Sequence, residues 1–247
     1  MFRKARAVRT LTVASWVLAM IAPLPVLHGQ VCSGFAALDD TRYRVSVSTA
    51  NYRYANAYGL SVAAGTDGPV YGVADLAWTY DDELTVSSYD MGIRLGADVP
   101  RGDGRIVVCP SASLATSIVP MGSLLVNARY QGIRNVLAGV RFGVSATVVR
   151  TDRLTIRPAA ELETIRVWSR IRDSEKTDRN NELYWIGGAG ISVIVGDRFT
   201  IRPGVTVPFR LLVSPDDPSR YYAMPFGRLN REIALELKVG VNFGRRQ

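Results

Sequence analysis

The chain has 247 residues, a formal net charge of +8, 47% hydrophobic residues and a single histidine. That length suits one β domain. The charge invites a nucleic-acid reading, but Arg3, Lys4, Arg6 and Arg9 precede any acid, and the other 26 basic residues are interspersed with 22 acidic ones. No clustered basic footprint is left for nucleic acid, which is not expected as a partner.

The first thirty residues have the three-part form of a secretory leader. The basic start runs into an apolar stretch from Leu11 to Leu27, broken by Pro23 and Pro25, and Gly29 supplies a small residue at a cleavage point near Gln30. So interrupted, the stretch falls short of the roughly 20 residues of a membrane-spanning helix. Residues 1–30 are therefore expected to be a signal peptide and 31–41 a periplasmic N-terminal segment. Cys32 follows Val31, where a lipoprotein signal would have a small residue. The only other cysteine is Cys109. In an exported chain the pair reads as one disulfide, with two unpaired thiols as the alternative.

Beyond the leader, apolar and polar residues alternate with period 2, the mark of strands with two unlike faces. The expected strands are 42–50, 56–65, 70–81, 84–99, 105–118, 135–150, 154–171, 182–196, 199–213 and 229–243. The first two are the least strongly patterned, so eight strands is the alternative to ten. In the sixth, Val136, Ala138, Val140, Phe142, Val144, Ala146 and Val148 oppose Gly139, Arg141, Gly143, Ser145 and Thr147. In the last, Ile233, Leu235, Leu237, Val239, Val241 and Phe243 oppose Ala234, Glu236, Lys238, Gly240 and Asn242. Several strands exceed the roughly 9–11 residues of a tilted membrane-crossing strand and the about five or six typical of soluble sheets.

Short turns at Pro100–Gly104, Thr151–Arg153 and Gly196–Arg198 alternate with polar loops at Val119–Arg134, Asp173–Asn181 and Ser214–Arg228. That parity fits short periplasmic turns and longer external loops, with an even strand count. Trp78, Tyr80, Tyr89, Trp168, Tyr184 and Trp185 fall at strand ends near one rim, and Phe199 and Phe243 near the other, as two aromatic girdles would.

Alternation alone does not say which face is inside, and a soluble lipocalin-like binding barrel would turn the apolar rows inward. The small residues on the polar rows (Gly92, Gly96, Gly139, Gly143, Gly188, Gly190, Gly204, Gly240) favour a narrow polar lumen and an apolar exterior. On this pattern, and on the closing segment Glu236-Leu-Lys-Val-Gly-Val-Asn-Phe243, residues 42–243 resemble the outer-membrane β-barrel superfamily, in particular its small outer-membrane protein A-like members. The resemblance implies an all-β, transmembrane, antiparallel up-and-down barrel in the outer membrane of a Gram-negative-type envelope. It also implies outer-membrane lipid and the barrel-assembly machinery as partners, with Val239, Val241 and Phe243 as the assembly signal. Residues 244–247 are a short tail where many members end on the aromatic. A monomer is expected.

His28 lies within the leader, so the mature chain is expected to hold no histidine. Barrel enzymes of this membrane, as their families imply, draw on histidine, and neither a Ser-His pair nor a His-bearing metal cluster can form. No catalytic residue, metal ligand or cofactor is expected. Asp90, Arg94, Arg141, Arg157, Glu161, Glu163, Arg202, Glu236 and Lys238, with Asp75 and Asp98, fall on lumen rows, where opposite charges should interleave because an unpaired buried charge costs several kcal/mol. The functional expectation is a non-enzymatic barrel with a structural or surface-interaction role. A narrow porin for small solutes is the alternative within the membrane reading, although wide channels need about 16–18 strands.

Overall fold

The computed structural model describes residues 41–52, 55–66, 69–81, 86–119, 130–173, 177–196, 198–211 and 233–245. The leader, the N-terminal segment with Cys32, positions 120–129 and 174–176 of two expected loops, the whole 214–228 loop and residues 246–247 lie outside them.

Twelve strands follow in order: β1 (Thr41–Asn51), β2 (Ala55–Gly65), β3 (Val70–Asp81), β4 (Val86–Ala97), β5 (Val99–Arg101), β6 (Ile106–Val119), β7 (Tyr130–Ala146), β8 (Val149–Arg150), β9 (Leu154–Asp173), β10 (Thr177–Val195), β11 (Phe199–Leu211) and β12 (Ala234–Arg245). The two short pieces, β5 and β8, continue β4 and β7 along the same neighbours. The other ten form an antiparallel up-and-down wall, closed by β1 pairing with β12 from Thr41↔Arg245 to Asn51↔Leu235. The two least patterned strands are therefore full members, and the eight-strand alternative falls.

Closure removes the unpaired edges that would otherwise expose backbone donors and acceptors to lipid. It also staggers the wall. Backbone partners lead from Val167 through Leu137, Ala115, Gly92, Asp75, Ser61, Ser46, Gly240, Thr200 and Ile194 back to β9 at Thr155, twelve residues away (167 − 155). Stagger of this kind accompanies strands tilted by roughly 35–45°. At the end with short turns, Gly102 (φ 60°) and Gly196 (φ 55°) occupy left-handed positions that only glycine adopts at little cost.

Several boundaries differ from the sequence expectation. The polar segment 173–181, expected as a loop, is largely strand: β9 and β10 stay paired from Asn181↔Trp168 to Thr177↔Arg172. Backbone hydrogen bonds continue there without an apolar face, so hydropathy alternation does not register them. β7 likewise begins at Tyr130 rather than 135. β12 begins at Ala234 rather than 229 and runs to Arg245, so Gly244 and Arg245 belong to the wall and not to a tail.

The faces decide the architecture. Val140 is 66% exposed, Phe142 56% and Leu237 43% on the outside, while the intervening Arg141, Gly143, Glu236 and Lys238 face the lumen, buried or half-buried. The same alternation holds around the wall, and the lipocalin-like arrangement, which needs the reverse, is overturned. At the turn end the lumen also holds a small apolar cluster of Ala63, Tyr71, Val73, Val107 and Cys109.

Candidate functional site

The side chains with the richest chemistry line the lumen. β7, β9, β11 and β12 are consecutive wall strands apart from β10, which contributes glycines to the inner face at this height. Arg141 on β7 donates from Nη1 to Glu161 Oε2 at 3.2 Å and from Nε to Glu163 Oε2 at 3.0 Å, with a further ion pair from Nη2 to Glu163 Oε2. Arg202 on β11 lies 3.8 Å from the other oxygen of Glu161. On β12, Lys238 is 3.8 Å from Glu236, whose Oε1 accepts a hydrogen bond from Thr206. Charges of opposite sign thus interleave across the arc, which is what keeps buried ions from being unpaired.

Small residues make room for these arms. A Cβ on Gly188 would meet Glu161 Cγ at 2.9 Å, one on Gly139 would meet Glu163 Oε1 at 3.0 Å, and one on Gly190 would meet Arg202 Nε at 2.8 Å. The acidic and basic side chains therefore lie flat over glycine backbone instead of standing into the lumen. Tyr71 does the same across Gly96, beside Ser111.

The sequence grouped nine charges as one network; the structure divides them. Arg141, Glu161, Glu163 and Arg202 meet, Glu236 pairs with Lys238, and Arg94 faces Asp75 at 3.9 Å. Arg157 lies towards the turn end and donates from Nε to Thr147 at 2.7 Å. Asp90 stands apart at the loop end, and its Oδ1 makes no hydrogen bond. Along its row, Asp90 pairs with Ser117, Ser117 with Asn135 and Asn135 with Ser169. Among the described residues Ser117 Oγ, both side-chain amide atoms of Asn135 and Ser169 Oγ also find no hydrogen-bond partner. One buried cation was missed from sequence. Arg44 on β1 is 1% exposed and donates to Asn242 Oδ1 at 2.7 Å, where Asn242 also donates to Thr200. Its signal was the even-numbered parity of a weakly patterned strand. Among the described residues no group of His, Cys, Asp and Glu is placed to hold a metal.

Trp78, Tyr89, Trp168 and Trp185 face outward and are exposed. Tyr80 shares their face beside Trp78, with ring centroids 6.4 Å apart. Tyr184 does not belong with them: it is 1% exposed and points inward. Neighbouring strand residues alternate faces, so Tyr184 and Trp185 cannot both meet the outside. Tyr58, not anticipated, stacks on Trp78 at 5.6 Å. At the other end Phe243 stacks on its cross-strand partner Tyr43 at 5.9 Å, and Val239 and Val241 are outward and exposed. Cys109 faces the lumen, buried, near the turn end; Cys32 lies outside the described residues.

The architecture is a closed, antiparallel up-and-down β-barrel of ten strands with an apolar exterior and a charged lumen. No protein-family model and no curated protein sequence matches the chain. Among solved structures it is similar to the β domain of the Bordetella autotransporter BrkA, at 11% identity and a TM-score of 0.48, covering 83% of this chain and 98% of that one. It is also similar to the translocator domain of the autotransporter NalP from Neisseria meningitidis, at 12% identity, TM-score 0.46 and coverages of 97% and 96%. A third is the N-terminal β-barrel domain of Pseudomonas aeruginosa OprF, at 12% identity, TM-score 0.34 and coverages of 83% and 99%. Likenesses this distant carry nothing about role, and the fold rests on the chain's own closed wall.

Proposed function

We propose that this chain is a non-enzymatic, monomeric barrel of a Gram-negative-type outer membrane, with a structural or surface-interaction role. The observation that carries this reading is the combination of an apolar exterior with a polar lumen wall on which opposite charges pair, centred on Arg141. An exterior of that kind is at home in hydrocarbon, and a wall of about ten strands encloses an interior far narrower than the channels of barrels with about 16–18. Export through residues 1–30 and delivery to the barrel-assembly machinery through Val239, Val241 and Phe243 belong to the same proposal.

A narrow pore is the second reading, favoured by one observation. Along the row of Asp90, Ser117, Asn135 and Ser169, buried side-chain atoms without a hydrogen-bond partner among the described residues have capacity that water would satisfy. Planar-bilayer recording separates the two. The structural reading expects no steady single-channel conductance from the native protein, and discrete steps only when Glu161→Gln and Glu163→Gln release Arg141. Steady, ion-selective steps from the native chain would replace it with the pore reading.

A Cys32–Cys109 disulfide pinning the N-terminal segment to the barrel base completes the proposal. Its support is the burial of Cys109 at the turn end, together with the fact that no cysteine among the described residues is a free thiol. The unfolded mature protein should take up a thiol reagent twice after reduction and not at all before it. Equal uptake under both conditions would remove the disulfide.

A further inference from the structure

The outer face carries a second pattern at its loop end. Backbone partners run from Tyr58 to Trp78, Tyr89, Ile118, Arg134 and Arg170 in one continuous row. This row is aromatic on β2, β3 and β4 and cationic on β7 and β9. Arg134 and Arg170 are exposed and directly opposite one another. Like charges so opposed repel, and among the described residues neither is paired with an acid. Arg166, four residues nearer the turn end on the same face of β9, lays its guanidinium over the Trp168 ring at 5.5 Å from the centroid. Below them on the same face lie Val136, Val140 and Leu162, exposed and apolar.

Aromatic residues in such a row mark headgroup depth. An anion standing between two opposed guanidinium groups at that depth turns their mutual repulsion into two attractions. The planar fork of arginine matches phosphate oxygens two at a time. We infer that Arg134, Arg166 and Arg170 form a binding site for the phosphate groups of a lipid in the leaflet at the loop end, with the lipid's acyl chains on the apolar band below. This inference rests on the membrane reading above.

The test uses the full mature chain folded in neutral detergent, with bound lipid counted by native mass spectrometry. The probes are a diphosphorylated acylated glycolipid, the same glycolipid without its phosphates, and inorganic phosphate. The native protein should prefer the phosphorylated lipid, and inorganic phosphate at equal concentration should not displace it. Arg134→Gln with Arg170→Gln should weaken binding roughly 30-fold while leaving the thermal midpoint in lipid-free detergent unchanged or higher. Arg170→Lys alone, which keeps charge but loses the fork, should fall between. Equal retention of both lipids, equal retention by the double variant, or displacement by inorganic phosphate would overturn the site. A native chain whose gel migration does not depend on heating would overturn the membrane reading instead, and the lipid site with it.

Discussion

Replacing Arg141 with leucine is expected to destabilise the folded barrel by about 3–5 kcal/mol, the usual cost of removing one partner from a buried ion cluster. The loss is large because Arg141 serves both Glu161 and Glu163, so leucine leaves two carboxylates side by side, with Arg202 the ion-pair partner left to Glu161 among the described residues. Adding Glu161→Gln and Glu163→Gln to the leucine variant should recover much of the loss, since the uncompensated charge goes with them. That coupling, read from urea unfolding in lipid vesicles, separates an ionic clamp from simple packing. A leucine variant within about 1 kcal/mol of the native protein would show that the cluster is solvated and holds nothing together.

Placing arginine at Val140 is the second large effect. Val140 lies midway along the exposed apolar row of β7, so the account expects a cost of about 2–4 kcal/mol in a bilayer. The same change at Val136, opposite Trp168 at the rim, should cost about 0–1 kcal/mol. A water-facing wall would tolerate both substitutions equally. The depth dependence is therefore the informative quantity, measured by unfolding in vesicles of fixed thickness.

Much of this was legible in the chain, and what was not has identifiable causes. Parity is local: Val140 and Arg141 must face opposite ways, so the two faces of β7 and β12 could be read directly. Height is not local. Asp90, Arg141 and Arg157 share the inner face, but which of them meet depends on strand register and on a stagger of twelve residues around the wall (167 − 155). Hence nine lumen charges could be named without predicting that Asp90 sits at the loop end, apart from the Arg141 cluster, and that Arg157 turns to Thr147. Pairing between polar segments is equally invisible to hydropathy, which is why the extension of β9 and β10 through residues 173 and 177 read as a loop. Tyr184 misleads for a different reason: its place near a strand end suggests the girdle, while alternation with the outward Trp185 turns it inward. The arginine row could not be read from spacing, because Arg134 and Arg170 become neighbours only through the β7–β9 register.

The most direct test places nitroxide spin labels singly at Val140, Phe142 and Leu237, and at Ala77 on the inner face between the outward Leu76 and Trp78, in protein reconstituted into vesicles. Collision with dissolved oxygen, which concentrates in hydrocarbon, is compared with collision with a water-soluble nickel chelate. Labels at 140, 142 and 237 should collide mainly with oxygen, and the label at 77 should not. Preferential collision of the three outer labels with the nickel chelate would place the hydrocarbon side chains in water and rule out a lipid-facing wall.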